Sequence, residues 1–247
     1  MAKILILGGT AEAAELVARL AGDDRLETVT SLAGLTRLPN ATGKVRRGGF
    51  GGPAGLATFL KDEGYDALVD ATHPFAAQIA AHAAEAAEIA ELPRVKLVRP
   101  PFERTDADRF IPVPDMEAAA AALPPGARVF LAAGRREIAA FQSRPDLWCL
   151  VRMIEPPVGS ETLPPGELIL GRPPSDPEQE VELLKEHRIG WIVSKDSGGQ
   201  AAAKIIAARQ LGIPVVLVER PRPPPGPHVA TVDGVIGWIS QTLFAAA

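Results

Sequence analysis

The chain has 247 residues, of which 47% are hydrophobic, only 5% are aromatic and 24 are prolines. A chain this apolar can bury a sizeable core, which excludes a disordered protein and leaves room for one large or two smaller domains. The formal charge of −4 argues against a general nucleic-acid binder, because a phosphate backbone requires clustered positive charge.

The use of cysteine and the length of the apolar runs point to one compartment. Cys149 is the single cysteine, so no intramolecular disulfide can form and a reducing compartment is favoured. The apolar run at residues 4–7 is too short for a secretion signal, and glutamates interrupt the alanine-rich segments before they could cross a bilayer. We therefore expect a soluble, cytoplasmic protein with no membrane partner.

The first half of the chain alternates short apolar runs with segments of helical spacing. The first run, residues 3–7, is continuous and typical of a strand buried on both faces of a parallel sheet. The predicted strands are residues 3–7, 26–31, 44–47, 67–70 and 94–98. The predicted helices are residues 11–20, 53–62 and 75–90.

The same alternation restarts after a proline-containing segment at residues 112–114. The predicted strands are residues 128–132, 148–153, 168–170, 191–194 and 215–218, and the predicted helices are residues 116–123, 135–141, 176–187, 200–211 and 232–244. Strands that alternate with helices imply parallel sheets covered by helices. We expect an α/β fold of two Rossmann-like lobes, residues 1–112 and 113–247, with mostly parallel sheets and a cleft between them. One larger sheet is the competing arrangement.

A glycine turn follows the first predicted strand. Gly8, Gly9 and Thr10 lie before a helix, where backbone N–H groups can bind a phosphate and glycine lets the ligand approach the main chain. The two glycines are adjacent instead of spaced as G-x-G-x-x-G. The turn therefore predicts a nucleotide site, with a tight turn that binds no ligand as the alternative.

The end of the second predicted strand favours NADPH over NADH. NAD sites place an acidic residue there for the ribose hydroxyls, whereas NADP sites use hydroxyl and basic groups. Here the strand ends at Ser31 without an acid, and Arg37 follows. We hypothesise that Ser31 and Arg37 hold the 2′-phosphate of NADPH. The alternative for Arg37 is an ordinary solvated loop arginine.

Polar residues also follow the fourth predicted strand, at the edge where open α/β sheets bind ligands. Thr72 can cap the next helix and Pro74 suits its first turn, so that His73 would point toward the crevice. His73 can serve as a general acid, since an unperturbed histidine has a pKa near ~6.5. The alternative is a turn that only caps the helix, with His73 on the surface.

The second half repeats the order of strand, glycine turn and helix, with a lysine added. Hydroxyl, ammonium and backbone N–H groups at such a turn form an anion site, and a simple helix cap is the alternative. The residues concerned are Lys195, Ser197, Gly198 and Gly199. Arg135 follows an earlier strand in a weaker version of the same design, and Lys204 lies in the next helix. No two of the four histidines have metal-ligand spacing, so no metal is expected.

In these segments the chain resembles the precorrin-6A reductase family, NADPH-dependent enzymes of corrin ring biosynthesis in the cobalamin pathway. The order and spacing of several motifs carry the resemblance, nearly end to end. The motifs are ILILGGT at residues 4–10 with Glu12, DATHPFA at 70–76, FLAAGR at 130–135, KDSGG at 195–199 with Lys204, and IPV at 213–215.

The resemblance implies hydride transfer from NADPH to a ring carbon of precorrin-6A, with a proton added, to give precorrin-6B. The first lobe would bind NADPH, and the second would contribute to the cleft for the tetrapyrrole. Glu12 and Thr72 join the glycine turn in the cofactor site that the resemblance implies. His73 or water would deliver the proton.

The tetrapyrrole carries many carboxylates, which call for basic side chains and helix N-termini. The candidate substrate ligands are Arg135, Lys195, Ser197, Gly198, Gly199 and Lys204, with Arg99 and Arg152 as weaker ones. Two alternatives stay open: a cobalt-containing substrate, and a two-lobed sensor that binds NADP or another anion without chemistry. The expected partner is the small-molecule tetrapyrrole, and other enzymes of the pathway are left open as partners.

Overall fold

The computed structural model describes residues 1–32, 43–132, 134, 137–157 and 162–245, with the backbone alone at residues 200 and 201. The chain divides into two compact units. Unit 1 consists of Met1–Pro100 together with Pro221–Ala247, and unit 2 of Pro101–Arg220. No helix in the described part of the chain is long and apolar enough to span a membrane.

Unit 1 is built on a six-stranded sheet with helices on both faces. Its strands are β1 (Ala2–Leu7), β2 (Leu26–Leu32), β3 (Lys44–Arg47), β4 (Ala67–Asp70), β5 (Arg94–Leu97) and, late in the chain, β12 (His228–Val229). Its helices are α1 (Ala11–Leu20), α2 (Pro53–Asp62), α3 (Ala77–Ala90) and α7 (Val232–Leu243). The strand order is β12-β5-β4-β1-β2-β3, and all of these pairs are parallel.

Unit 2 repeats this architecture. Its strands are β6 (Phe110–Val113), β7 (Arg128–Ala132), β8 (Trp148–Met153), β9 (Gly166–Leu170), β10 (Trp191–Lys195) and β11 (Val215–Val218). Its α-helices are α4 (Met116–Ala122), α5 (Pro177–Glu186) and α6 (Ala203–Leu211), with 3₁₀ helices at Glu137–Phe141 and Gly199–Ala202. The strand order is β6-β11-β10-β7-β8-β9, again with every pair parallel. The predicted α/β class with parallel sheets is therefore confirmed.

The first strand shows why its sequence is continuously apolar. Successive side chains of a strand point to opposite faces of the sheet. Ile4 and Ile6 pack in the core beneath α1 and α7, whereas Leu5 and Leu7 pack in the core beneath α2 and α3. All four are buried, so this part of β1 has no solvent face that would call for polar residues.

The division of the chain corrects the predicted boundary at residues 112 and 113. The chain leaves unit 1 at Pro100, and it returns at Pro221 to add β12 and α7. Val232, Val235 and Ile239 of α7 belong to the apolar core that contains β1 and α1, which explains the return. The C-terminal segment thus belongs to unit 1, not to the second lobe.

Some elements differ from those predicted. Strands β6 and β12 were not predicted, because each is very short and β6 contains Pro112. Both lie at an edge of their sheet, and an edge strand tolerates proline. The predicted helix at residues 200–211 is a 3₁₀ turn followed by α6, and α3 starts two residues later than expected.

The order of the strands locates two crevices by topology. Chain direction across the sheet reverses between β1 and β4 in unit 1, and between β7 and β10 in unit 2. Ligands of open α/β sheets bind at such switch points, outside the carboxyl ends of the strands. The predicted turns at Gly8–Thr10 and Asp70–His73 follow β1 and β4, so both lie at the switch point of unit 1.

Candidate active site

The β1–α1 turn of unit 1 is fixed by backbone and hydroxyl hydrogen bonds. The Gly8 N–H donates to the carbonyl of Ser31 at 3.0 Å, which joins the turn to β2. Gly9 has a φ of 109°, a conformation that favours glycine, and space is open where a side chain would begin. Thr10 caps α1 by accepting a backbone N–H at 3.1 Å, and its hydroxyl donates to the carbonyl of Ala71 at 2.8 Å. The main chain of the turn is therefore accessible at Gly9, and these hydrogen bonds hold the turn in place.

A buried ion pair supports the turn after β4. Lys96 Nζ lies 2.8 Å from Asp70 Oδ2, and the two side chains are 3% and 0% exposed. Asp70 Oδ1 accepts hydrogen bonds from the backbone N–H of Thr72 at 3.1 Å and from its hydroxyl at 2.6 Å. The prediction that Thr72 caps the next helix is thus wrong, since its hydroxyl serves Asp70 and the N-cap of α3 is Ala76.

His73 lies half-buried in the same turn. Its Nδ1 accepts the backbone N–H of Phe75 at 3.2 Å, and the two rings are 5.9 Å apart. In a neutral imidazole this arrangement leaves the proton on Nε2. To act as a general acid, His73 would have to carry a proton on both nitrogens and give up this hydrogen bond at Nδ1, and its role as an acid stays a prediction.

A shallow, half-open recess lies at the carboxyl ends of β1, β4 and β5. It is lined by Thr10, Glu12, Ala71, Thr72, Pro74, Leu97 and Arg99. Arg99 Nη1 lies 2.9 and 2.8 Å from the two carboxylate oxygens of Glu12, and this pair is largely buried. The structure therefore brings three predicted cofactor residues, Thr10, Glu12 and Thr72, together with an arginine that the sequence assigned to the substrate.

The ends of β2 and β3 form the other side of the unit 1 switch point. Ser31 is buried at the end of β2, and the register pairs it with Arg46 of β3. Arg46 donates to two glycine carbonyls of the next loop at 2.7 Å each and lies over the ring of Phe50. Arg46 is not among the predicted site residues, because only strand pairing places it beside Ser31. Arg37 lies outside the described residues.

The turn after β10 in unit 2 contains most of the predicted substrate ligands. Lys195 Nζ lies 2.7 Å from Glu137 Oε1, so its ammonium is paired with a carboxylate of the same unit. Glu137 lies against Gly134, where a side chain would collide with its other carboxylate oxygen. Arg135 lies outside the described residues.

The backbone of that turn is built on Asp196. The Asp196 carboxylate accepts the N–H of Phe102 at 3.0 Å, and its carbonyl accepts from Arg220 Nε at 2.5 Å. Ser197 is buried, and Lys204 is buried with its ammonium 5.2 Å from the centre of the Phe102 ring. The three predicted residues Lys195, Ser197 and Lys204 thus belong to one region of unit 2.

Gly198 and Gly199 take φ values of 60° and 67°, which favour glycine and bend the chain sharply. Their turn follows β10, and β10 holds in unit 2 the place that β4 holds in unit 1. The structural counterpart of the Lys195–Gly199 turn is therefore the turn at Asp70–Pro74. The counterpart of the Gly8–Thr10 turn is the segment after β7, at Gly134.

Arg152 has a role inside the core of unit 2. Its guanidinium contacts both carboxylate oxygens of Glu180 at 2.5 and 2.9 Å, and the Glu180 side chain is 0% exposed. The guanidinium also lies 4.9 Å from the centre of the Phe130 ring. These contacts join β8 to α5, so a substrate contact from Arg152 would require breaking the pair.

Metal chemistry and thiol chemistry have no support among the described residues. Across residues 1–32, 43–132, 134, 137–157 and 162–245, no three histidine, cysteine or acidic side chains form a metal cluster. Cys149 is buried in β8, and burial raises the pKa of its thiol to about 11. A thiol with this pKa stays protonated at neutral pH and is a poor nucleophile.

A parallel sheet in the 3-2-1-4-5-6 order in unit 1, and a second parallel sheet with an equivalent switch point in unit 2, define a protein of two Rossmann-like folds. Within that class, the model of the precorrin-6x reductase family CbiJ/CobK matches residues 3–240. The chain belongs to this family, and the resemblance seen in the sequence is confirmed.

Named relatives agree with the family match over nearly the whole chain. The chain is 43% identical to precorrin-6A reductase of Rhodobacter capsulatus, covering 98% of this chain and 97% of the relative. It is 46% identical to precorrin-6A reductase of Rhodococcus erythropolis, covering 97% and 98%. A solved structure of CobK precorrin-6A reductase matches with a TM-score of 0.92 and 42% identity, covering 98% of each chain.

Relatives named for the cobalt-containing substrate are more distant. The cobalt-precorrin-6A reductase of Priestia megaterium is 27% identical, although it too is matched over 97% of this chain and 99% of its own. The similarity is therefore greater toward the proteins named for the cobalt-free substrate.

Proposed function

We propose that the chain is a precorrin-6A reductase that transfers a hydride from NADPH to the macrocycle and yields precorrin-6B, in the cytoplasm. The observation that supports this most strongly is the 43–46% identity, over nearly full length, to proteins named precorrin-6A reductase. The cobalt-precorrin alternative is less favoured, because proteins with that name are only 27–31% identical.

We assign the cofactor to unit 1. The accessible main chain at Gly9, at the N-terminus of α1, suits a pyrophosphate, and the recess lies beside it. The proposed cofactor residues are Gly8, Gly9, Thr10, Glu12, Ser31, Arg37 and Thr72. Ser31 and Arg37 would hold the 2′-phosphate, as expected for a strand end without an acid.

We assign the substrate carboxylates to the second unit. Lys195 and Lys204 supply ammonium groups, while Ser197, Gly198 and Gly199 supply hydroxyl and backbone donors. Arg135 completes the proposed set. Lys195 is paired with Glu137 at 2.7 Å, so a substrate carboxylate would share or replace that partner.

Most of the catalysis would consist of positioning. NADPH supplies the hydride when bound, and the protein holds the reacting carbons in contact and excludes water. The Asp70–Lys96 pair fixes the turn of Thr72 and His73 beside the recess. His73, as the imidazolium, is our candidate donor of the proton, and water is the alternative.

The test is a reduction assay with purified protein, precorrin-6A and either NADPH or NADH. We expect stoichiometric oxidation of NADPH, a product heavier by two hydrogens, and much slower turnover with NADH. Tight binding of NADPH without oxidation in the presence of the tetrapyrrole would favour the sensor alternative. Equal rates with both cofactors would contradict the assignment of the 2′-phosphate site.

A further inference from the structure

The recess of unit 1 contains one basic side chain that none of the cofactor motifs includes. Arg99 follows β5 by two residues, and its side chain is 14% exposed. It lines the recess together with Thr10 and Thr72, which belong to the turns after β1 and β4. Its guanidinium therefore places a positive charge on the wall of this recess.

The strand order indicates which half of a bound dinucleotide Arg99 would contact. A 3-2-1-4-5-6 sheet is made of two mononucleotide-binding halves, and the ribose nearest the adenine lies at the end of β2. The other nucleotide then lies over β4 and β5. Arg99 follows β5, so it lies on the side of the nicotinamide nucleotide.

The pairing with Glu12 gives Arg99 a defined orientation. Both oxygens of the Glu12 carboxylate contact Nη1, at 2.9 and 2.8 Å, and the Glu12 side chain is 20% exposed. By comparison, Arg19 of the same helix pairs with Asp233 at 2.6 Å, with side chains 42% and 81% exposed. Arg19 does not line the recess. Of these two pairs, only the Arg99–Glu12 pair lines the recess.

We propose that Arg99 binds the phosphate of the nicotinamide half of NADPH, and that Glu12 is the positioning residue that orients its guanidinium. The proposal rests on the assignment of NADPH to unit 1. Guanidinium groups bind phosphate through charge-assisted hydrogen bonds, often two at once, which fixes both distance and orientation. Arg99 would thereby place the nicotinamide ring for hydride transfer instead of binding a carboxylate of the substrate.

The experiment compares the binding of NADPH with the binding of adenosine 2′,5′-bisphosphate, which contains only the adenosine half. Arg99→Met should weaken NADPH binding about tenfold or more and leave the binding of the fragment unchanged. The NADPH affinity of Arg99→Lys should lie between those of the wild type and Arg99→Met, since lysine keeps the charge but loses the paired donors. Arg19→Met, which removes an arginine–carboxylate pair from the same helix, should leave both affinities unchanged.

Retained binding of the fragment also shows that the Arg99→Met variant is folded. If Arg99→Met binds NADPH as tightly as the wild type, the proposed role of Arg99 is wrong. This holds whether or not the KM for precorrin-6A rises. An equal loss of affinity for both ligands would overturn it as well, since the contact would then not be confined to the nicotinamide half. If the wild-type protein binds neither ligand, the assignment of NADPH to unit 1 itself fails.

Discussion

Asp70 and Lys96 illustrate how single residues hold the candidate site in place. The β4–β5 register sets the two residues side by side, and both side chains are buried. Removing two charges from water is costly, and the pair is tolerated because Thr72 adds two hydrogen bonds to the carboxylate. Losing one partner would leave an uncompensated buried charge.

We therefore predict that Lys96→Met lowers the free energy of unfolding by about 3–5 kcal/mol. The matched control is Lys44→Met, which removes the exposed pair with Glu27 and should change stability little. Urea unfolding followed by circular dichroism measures both. A similar, small effect of the two substitutions would show that the buried pair is not needed for the β4 turn.

At this scale the sequence predicts the turns but not the partners of their side chains. The glycine spacing locates Gly9, and the hydroxyl before a helical segment allows Thr10 as a cap, because both signals are local. Nothing local connects Glu12 to Arg99, which is 87 residues away. The predicted helix cap at Thr72 is wrong for a similar reason, since the carboxylate of Asp70 takes the hydrogen bond of its hydroxyl.

Between elements, one carboxylate connects a loop to α6 in unit 2. Asp108 accepts the backbone N–H of Thr105 at 2.7 Å and a hydrogen bond from Arg209 Nε at 2.9 Å. Burial alone would raise the pKa of Asp108, but the hydrogen bonds from Arg209 and Thr105 outweigh it and hold the pKa below the ordinary 3.8. The ionised form thus stabilises the folded state.

We predict that Asp108→Asn costs roughly 1–2 kcal/mol of stability at neutral pH. Because the folded-state pKa is lowered, the contribution of Asp108 is present above 3.8 and is lost as the pH falls through the folded-state pKa. The difference between wild type and variant should therefore shrink on the acid side of 3.8. Unfolding measured across a pH series checks this, and a difference independent of pH would contradict it.

Elements with long apolar runs or clear helical spacing are found close to their predicted positions. The helix at 53–62 and the strand at 67–70 agree with their predicted bounds, since each has a clear period and a clear start. Strands β6 and β12 are not predicted from the sequence, because only their pairing with neighbouring strands defines them. Four residues with a proline, or two residues alone, carry no period of their own.

For the whole molecule, the main departure from the predicted organisation is the discontinuous unit 1. β12 pairs with β5, and α7 packs into the same apolar core as α1. Residues 221–247 therefore complete a unit that begins at the N-terminus. No sequence signal marks this return, because α7 has the same apolar spacing whichever sheet it covers. The pairing of β12 with β5 and the packing of α7 assign it to unit 1.

We predict that residues 1–100 do not fold cooperatively by themselves, because the core beneath α1 loses Val232, Val235 and Ile239. The same residues joined to 221–247 by a flexible linker should fold and unfold in a single transition. The continuous unit 2, residues 101–220, serves as the control and should fold alone. Equal stability of residues 1–100 with and without 221–247 would refute this division.

We propose above all that unit 1 binds the nicotinamide cofactor at its switch point. The most direct test is a crystal structure of the protein grown with NADP. We expect density for the pyrophosphate at Gly8–Thr10, with the nicotinamide half beside Arg99. Density for NADP only in unit 2, at the Lys195–Gly199 turn, would contradict the account and reverse the roles of the two units.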